Sequence, residues 1–116
     1  MATPIHLSDP AFKALRVSDL ESFRRLTADQ KQIDFSNTDL RGTDLRKVDL
    51  SKIVLTGAYL KECDLRGQDM RHMNLSGVSI HGAKIGGVYF PDDLEANEIV
   101  MSVSMGTRLR TQRQIN

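Results

Sequence analysis

Histidine and cysteine are few in this 116-residue chain, with three and one, and their spacing favours neither catalysis nor metal binding. His6, His72 and His81 have no partner at the spacing of metal ligands, and a single cysteine, Cys63, cannot complete a zinc site. Cys63 also has no evident base beside it, which a nucleophilic thiol requires. We therefore predict that the protein is not an enzyme, and that it has no catalytic residue, no metal site and no cofactor.

Aspartates and glycines are numerous, but both follow a period of five residues. The aspartates stand directly before a large apolar residue, which makes a repeating array and not an isolated acid pair. Glycine recurs at the second position after the apolar residue, at Gly42, Gly57, Gly67, Gly77, Gly82 and Gly87. Glycine there suits a turn with unusual backbone angles, so these glycines do not indicate a phosphate-binding loop.

The apolar residues themselves set this period. They are Phe35, Leu40, Leu45, Leu50, Leu55, Leu60, Leu65, Met70, Leu75, Ile80, Ile85 and Phe90. Helices favour spacings of three and four and strands a spacing of two, so a period of five fits neither. Short units that bury their apolar sides only against one another are typical of a solenoid. The residue two places before each apolar centre is mostly small or apolar, and it too is predicted to point inward.

Several of these units carry a family resemblance. TDLRG, TDLRK, CDLRG and MNLSG resemble the A(D/N)LXX motif of pentapeptide-repeat proteins, and the repeat covers residues 33–92, about half of the chain. Val54, Tyr59, Lys84 and Tyr89 depart from the motif by replacing its Asp or Asn. In that family four units form the four sides of one coil. The resemblance therefore implies an all-β solenoid, a right-handed quadrilateral β-helix of about three coils, in which every twentieth residue shares a column.

The chain is predicted to form one domain, in which helices cover both ends of the repeat. Residues 1–32 would hold an N-terminal tail and one or two capping helices, residues 33–92 the β-helix, and residues 93–116 a C-terminal helix and a basic tail. Both ends of so short a solenoid need protection, because an uncovered end exposes strand edges.

At the N-terminal end, Ser8-Asp9-Pro10 predicts a helix start, and Ser18 with Glu21 predicts a second start with a capping box. One broken helix or two short ones should then span residues 10–27. The side chains expected to lie over the first coil are Leu20, Phe23 and Leu26. The alternative is that this helix binds a partner.

At the C-terminal end, the spacing of Ile99 and Val103, with Gly106 behind them, predicts a helix from about Glu95 to Met105. It should cover the last coil, although a methionine-rich helix could also be a partner surface or a homodimer contact. Residues 107–116 are predicted to be a frayed tail. Its possible contacts to an acidic partner or a nucleic acid are Arg108, Arg110 and Arg113.

Charge and composition narrow the function classes further. The formal net charge is +1, and charges of both signs occur along the whole sequence, so the overall charge does not favour a nucleic-acid binder. One cysteine cannot form an internal disulfide, which favours a reducing cytoplasm. The sequence shows no signal-peptide pattern and no apolar run long enough for a membrane span, so we expect no membrane partner.

The twenty-residue columns assign the outward side chains to four faces. Acidic columns run beside basic ones, which is typical of a solvated, charge-paired surface. An alternative is that one face binds a partner. We call this the second face, and its residues are Arg41, Tyr59, Lys61 and His81. An aromatic residue beside cations on a rigid surface is a common interface composition.

Three functions remain open at this point. The favoured one is a small interaction module or adaptor that binds an unidentified protein through a flat face or a terminal helix. The resemblance also implies a mimic of duplex DNA that binds topoisomerase or DNA gyrase, but eight acids and eight bases between residues 33 and 92 weaken this interpretation. The third is weak nucleic-acid binding by the arginine tail. We expect no room for a substrate pocket in so thin a solenoid.

Overall fold

The structure is a computed structural model, and it describes residues 9–112. Its regular elements are, in chain order, α1 (Pro10–Arg16), α2 (Leu20–Thr27), β1 (Ile33–Asp34), β2 (Ile53–Val54) and α3 (Ala96–Met105). Most of the repeat consists of turns and single bridges, because a turn follows every two or three extended residues. Within the described residues, no helix has the length and apolar character needed to cross a bilayer.

The repeat pairs with itself in parallel at an offset of twenty residues. Ile33 lies opposite Ile53 in the β1–β2 pair, and bridges with the same offset join Asp39 to Tyr59 and Tyr59 to Ser79. The backbone N–H of Leu60 donates to the carbonyl of Ser79 at 2.8 Å. Twenty residues are four five-residue units, so these pairs have the column spacing that the family resemblance implies.

The apolar residues of the period form the core. Those from Phe35 to Ile80 are buried, and Ile85 and Phe90 at the end of the series are partly buried. Many of the turns between them take a left-handed backbone. Gly67 does so at φ +78°, whereas Asn37 and Glu62 take similar angles as non-glycine residues.

The aspartates before the apolar centres fasten these turns. The Oδ1 atom of Asp44 accepts the backbone N–H of Arg46 at 3.1 Å, and the same bond joins Asp49 to Ser51 at 2.9 Å. A short acceptor two residues before a turn N–H is the Asx-turn arrangement. The aspartates of the motif therefore have a structural cause, and the same carboxylates remain free to accept a second donor.

Two short helices occupy the N-terminal segment, as predicted, but the second cap lies elsewhere. Asp9 accepts from the N–H of Phe12 at 2.9 Å, and Asp19 accepts from the N–H of Ser22 at 3.1 Å. The prediction of Ser18 as a cap was wrong, because Ser18 takes φ +60° in the link between the helices. Its neighbour Asp19 then stands at the helix start. Ser8 lies outside the described residues.

These helices cover the first coil mainly through aromatic contacts. The rings of Phe12 and Phe23 lie 5.7 Å and 6.2 Å from the ring of Phe35, centroid to centroid. The prediction that Leu26 joins this contact was wrong, since Leu26 is 39% exposed. Thr27, four residues after Phe23, is buried in its place, and its hydroxyl donates to the carbonyl of Phe23 at 2.8 Å.

Basic side chains join the N-terminal helices to the repeat, and Arg16 donates to the edge of the first coil, where no earlier coil can supply donors. Arg16 donates from Nη1 to the carbonyl of Arg41 and, at 2.7 Å, to the hydroxyl of Thr43. Lys52 donates to the carbonyl of Thr27 at 2.9 Å, which fastens the end of α2 to the repeat. The helices thus satisfy edge carbonyls as well as covering apolar side chains.

The C-terminal helix α3 closely matches the predicted span. Gly106 caps its C-terminal end with φ +78°, and the Gly106 N–H donates to the carbonyl of Ser102 at 3.0 Å. The helix also supplies hydrogen-bond acceptors for backbone N–H groups of the last coil. The hydroxyl of Ser102 accepts from the N–H of Ile80 at 3.0 Å, and the carbonyl of Val103 accepts from Gly82 at 2.9 Å.

The prediction of a frayed tail was wrong for residues 107–112. Leu109 is buried against the last coil, where its N–H donates to Val78 at 2.8 Å and its carbonyl accepts from Gly77 at 2.8 Å. Thr111 is buried as well. The Gly77 N–H and the Val78 carbonyl lie on the last coil and have no following coil to pair with. Leu109 supplies a partner for each of them.

Candidate interaction surfaces

Ion pairs between residues two apart dominate the outer surface of the repeat. Arg46 Nη2 lies 2.8 Å from Asp44 Oδ2, and its Nε lies 3.2 Å from Asp64 Oδ2 on the next coil. The side-chain hydrogen bond from Arg46 lowers the pKa of Asp44 to about 2. Arg71 lowers the pKa of Asp69 to about 2 in the same way. These acids therefore remain ionised and are partly neutralised by their partners.

The second face brings two of its four predicted residues into contact and places a third on the adjacent coil. The guanidinium carbon of Arg41 lies 5.6 Å from the ring centroid of Tyr59, and Arg41 Nη2 lies 2.8 Å from Asp39 Oδ2. Lys61 belongs to the coil after Arg41, and its carbonyl accepts from Gly42 at 2.8 Å. Arg41 is thus held in place by an acid at its edge and an aromatic ring at its face.

The fourth residue, His81, is half-buried on the following coil. The end of α3 covers part of it, because a Cβ atom placed on Gly106 would lie 3.1 Å from His81 Nδ1. His81 therefore contributes less surface to the second face than its place in the repeat suggests.

A similar arrangement occurs on the face that carries Asp69, Arg71 and Tyr89, which we call the fourth face, and the sequence interpretation did not single it out. The guanidinium carbon of Arg71 lies 4.9 Å from the ring centroid of Tyr89, and Arg71 Nη2 lies 2.8 Å from Asp69 Oδ2. Tyr89 is 60% exposed. The signal was present in the sequence. Both tyrosines of the chain stand twenty residues after the Asp of an Asp-x-Arg unit, at Tyr59 and Tyr89.

The predicted tail contacts are used within the fold where the structure describes them. Arg110 Nη2 lies 2.7 Å from Oε2 of the buried Glu98, and the hydrogen bond from Arg110 lowers the pKa of that carboxyl. Arg108 Nη1 donates to the carbonyls of Gly77 at 2.6 Å and Gly57 at 3.2 Å. Arg113, the third predicted contact, lies outside the described residues.

Cys63 lies in the core, and its thiol donates to the carbonyl of Leu40 at 3.0 Å. Burial raises the pKa of this thiol to about 11, so it stays protonated and unreactive at neutral pH. His72 contacts the carbonyl of Leu50 at 3.3 Å through Nε2. Between residues 9 and 112, no group of three His, Cys, Asp or Glu side chains is placed to hold a metal ion.

A groove with a volume of about 640 Å³ lies between the two N-terminal helices. We call it the α1/α2 groove. Its lining is Pro10, Phe12, Lys13, Ala14, Arg16, Val17, Asp19, Ser22, Arg25 and Leu26. The expectation of no room for a substrate pocket concerned the solenoid, and this groove lies outside it, between the covering helices.

Parallel pairing at an offset of twenty residues, with a turn in every five, defines a β-helix type of repeat. The family model described as pentapeptide repeats (8 copies) matches residues 31–71 and, in a second overlapping match, residues 53–90. Together the matches span residues 31–90, which is more than half of the 116 residues. The chain belongs to the pentapeptide-repeat family, whose members are generally structural or interaction modules. No curated protein and no solved structure gave a match.

Proposed function

We propose that the protein is a small non-catalytic interaction module that binds a protein partner through the second face. The observation that carries this proposal is the exposed Arg41 side chain, which lies 5.6 Å over the ring of Tyr59 and is flanked by Lys61 on the next coil. Arginine and tyrosine are enriched among the residues that dominate binding energy at interfaces.

Preorganisation is the physical reason why this pair is suited to binding. An arginine loses about 0.5–1.5 kcal/mol of conformational freedom when a partner immobilises it. Arg41 is already held by two contacts to the carboxylate of Asp39, at 3.1 Å and 2.8 Å, and by the ring of Tyr59. Part of that cost is met during folding, so a partner with an acidic or carbonyl acceptor can bind at lower cost.

The architecture behind this face is proposed as a right-handed quadrilateral β-helix of about three coils. In this proposal residues 1–32 cover one end, residues 33–92 form the coils, and residues 93–116 cover the other end. The twenty-residue pairing, the Phe12–Phe35 contact and the burial of Leu109 support it. A reducing compartment such as the cytoplasm fits the free, buried Cys63.

Two other functions receive less support. A DNA mimic that binds topoisomerase or gyrase needs a continuous acidic surface, but four motif aspartates lie in ion pairs with arginine, at Asp39, Asp44, Asp64 and Asp69. Nucleic-acid binding by the C-terminal arginines would compete with the contacts that Arg108 and Arg110 make inside the fold.

The proposal can be tested with immobilised protein in a bacterial lysate, with and without nuclease, read by mass spectrometry. We compare the wild type with Tyr59→Ala/Lys61→Ala, which removes the aromatic and cationic groups of the second face. The matched control is Arg71→Ala/Tyr89→Ala, because it removes the similar pair from the fourth face. Thermal unfolding of each variant checks that the fold is retained.

We expect a nuclease-resistant partner that is lost with the second-face variant and kept with the control. Loss with the control alone would move the interface to the fourth face. Recovery of a topoisomerase from wild type and both variants would favour the mimic, and recovery of nuclease-sensitive proteins would favour the arginine tail. Each of these results would overturn the second-face proposal.

A further inference from the structure

Two apolar surfaces that no part of residues 9–112 covers lie at opposite ends of the repeat. One is the α1/α2 groove, whose helices pack on Phe35 at the start of the repeat. The other lies on the outer side of α3, which covers Ile80 and Gly82 near the end of the repeat. Apolar side chains are thus left in contact with water beyond both covers.

The groove combines apolar walls with positive charge. Val17 is 75% exposed and Leu26 39% exposed, and Lys13, Arg16 and Arg25 also line it. Asp19, the one acid among the described lining residues, accepts a hydrogen bond as the cap of α2. The groove therefore favours an apolar occupant that carries negative charge.

The outer side of α3 has the complementary properties. Glu98 and Ser102 face the repeat and are buried, whereas Val100 is 61% exposed, Met101 38% and Met105 71%. We call these three exposed residues the α3 ridge. Acids lie just before the helix or at its cap, and Asp92, Asp93 and Glu95 are all exposed.

We infer that the α3 ridge of one copy docks in the α1/α2 groove of a second copy. A helical ridge fits between two helices, apolar side chains meet apolar walls, and acids at the base of the ridge meet cations at the rim. Contact of ridge with ridge or groove with groove would instead bring like charges together. A contact between two different surfaces leaves one of each free, so it extends head to tail and does not close as a dimer.

Sedimentation velocity over a range from micromolar to millimolar protein tests this inference. The groove-blocked variant is Val17→Lys/Leu26→Lys and the ridge-blocked variant is Val100→Lys/Met105→Lys. Each places two lysines where the contact would bury them, and burying an unpaired charge is costly. All four positions are exposed, so folding should be unaffected, and thermal unfolding checks this. The matched control is Tyr89→Lys, an exposed apolar position outside both surfaces.

We expect the wild type and the control to form species that grow with concentration, and each blocked variant alone to stay monomeric. An equimolar mixture of the two blocked variants should form a dimer and stop there, because it has one intact groove facing one intact ridge. A wild type that stays monomeric throughout would overturn the inference. So would a mixture that stays monomeric, or a groove-blocked variant that still dimerises, since the latter would show a ridge-to-ridge contact.

Discussion

Replacing Leu65 by alanine tests the stacked core at its middle coil. Leu65 is fully buried and lies in one column with Leu45 before it and Ile85 after it, so its side chain has packed neighbours on both sides. A buried Leu→Ala change costs about 2–5 kcal/mol, and incomplete collapse around the cavity favours the upper half of that range. This is a large part of the roughly 5–15 kcal/mol that stabilises a small domain.

The predicted loss converts to a melting temperature through the unfolding entropy, about 2.1 cal/mol/K per residue. For a chain of this length, 1 kcal/mol corresponds to about 4 °C, so Leu65→Ala should lower the melting temperature by about 8–20 °C. Differential scanning calorimetry measures the temperature, and urea unfolding gives the free energy independently.

The same column supplies the control. Ile85 is only partly buried at the last coil, so Ile85→Ala should cost less than half as much as Leu65→Ala. Equal losses at the two positions would refute the reasoning, because they would mean that burial between coils does not set the stability. A Leu65→Ala variant that melts like the wild type would refute it more strongly.

Other predictions concern charge, the thiol and the C-terminal cover. The free energy of unfolding should fall as the pH drops from about 4 toward 2, because Asp44 and Asp69 have pKa values of about 2 in the fold and bind protons more readily when unfolded. Urea unfolding at a series of pH values measures this, and an unfolding free energy that does not change with pH would contradict it. Cys63 should react with a thiol reagent at mildly alkaline pH only after unfolding, since its pKa is about 11 and it is buried, so prompt labelling of the native protein would count against that burial. Leu109→Ala should lower the free energy of unfolding by about 2–4 kcal/mol in urea unfolding, and truncation after Gly106 should lower it at least as much. A truncated chain with the stability of the full one would disprove the role of Leu109 as a cover.

The period of five carried much of the fold information in the sequence. It predicted which residues are buried from Phe35 to Ile80 and where glycine takes a left-handed backbone, whereas the twenty-residue offset of the columns came from the family resemblance. These features repeat many times, so each unit supports the interpretation of the others. The Arg46–Asp64 contact between coils follows from the same offset once the columns are in place.

The ends of the repeat were harder to predict because they do not repeat. Serine and aspartate are both favoured at helix N-caps, and the φ +60° of Ser18 in the link between the helices leaves Asp19 to start α2. Leu26 and Thr27 compete for the inner side of a short helix in the same way, and docking on Phe35 decides the outcome. The alternation in Thr107-Arg108-Leu109-Arg110-Thr111 is typical of an extended segment, but five residues are too few to distinguish it from a tail.

The measurement that tests the twenty-residue stacking most directly is disulfide trapping between coils. Asp69 and Tyr89 are paired in parallel on adjacent coils, where partners lie about 4.8 Å apart, within the Cα separation that a disulfide accepts. We would introduce Asp69→Cys/Tyr89→Cys into a Cys63→Ser chain, with Asp64→Cys/Tyr89→Cys as the control, because Asp64 pairs with Lys84 on another face. Mild oxidation followed by mass spectrometry should show an internal disulfide in the first variant and free thiols in the control. Free thiols in the first variant, or equal crosslinking in both, would contradict the stacking on which the proposed interaction surfaces depend.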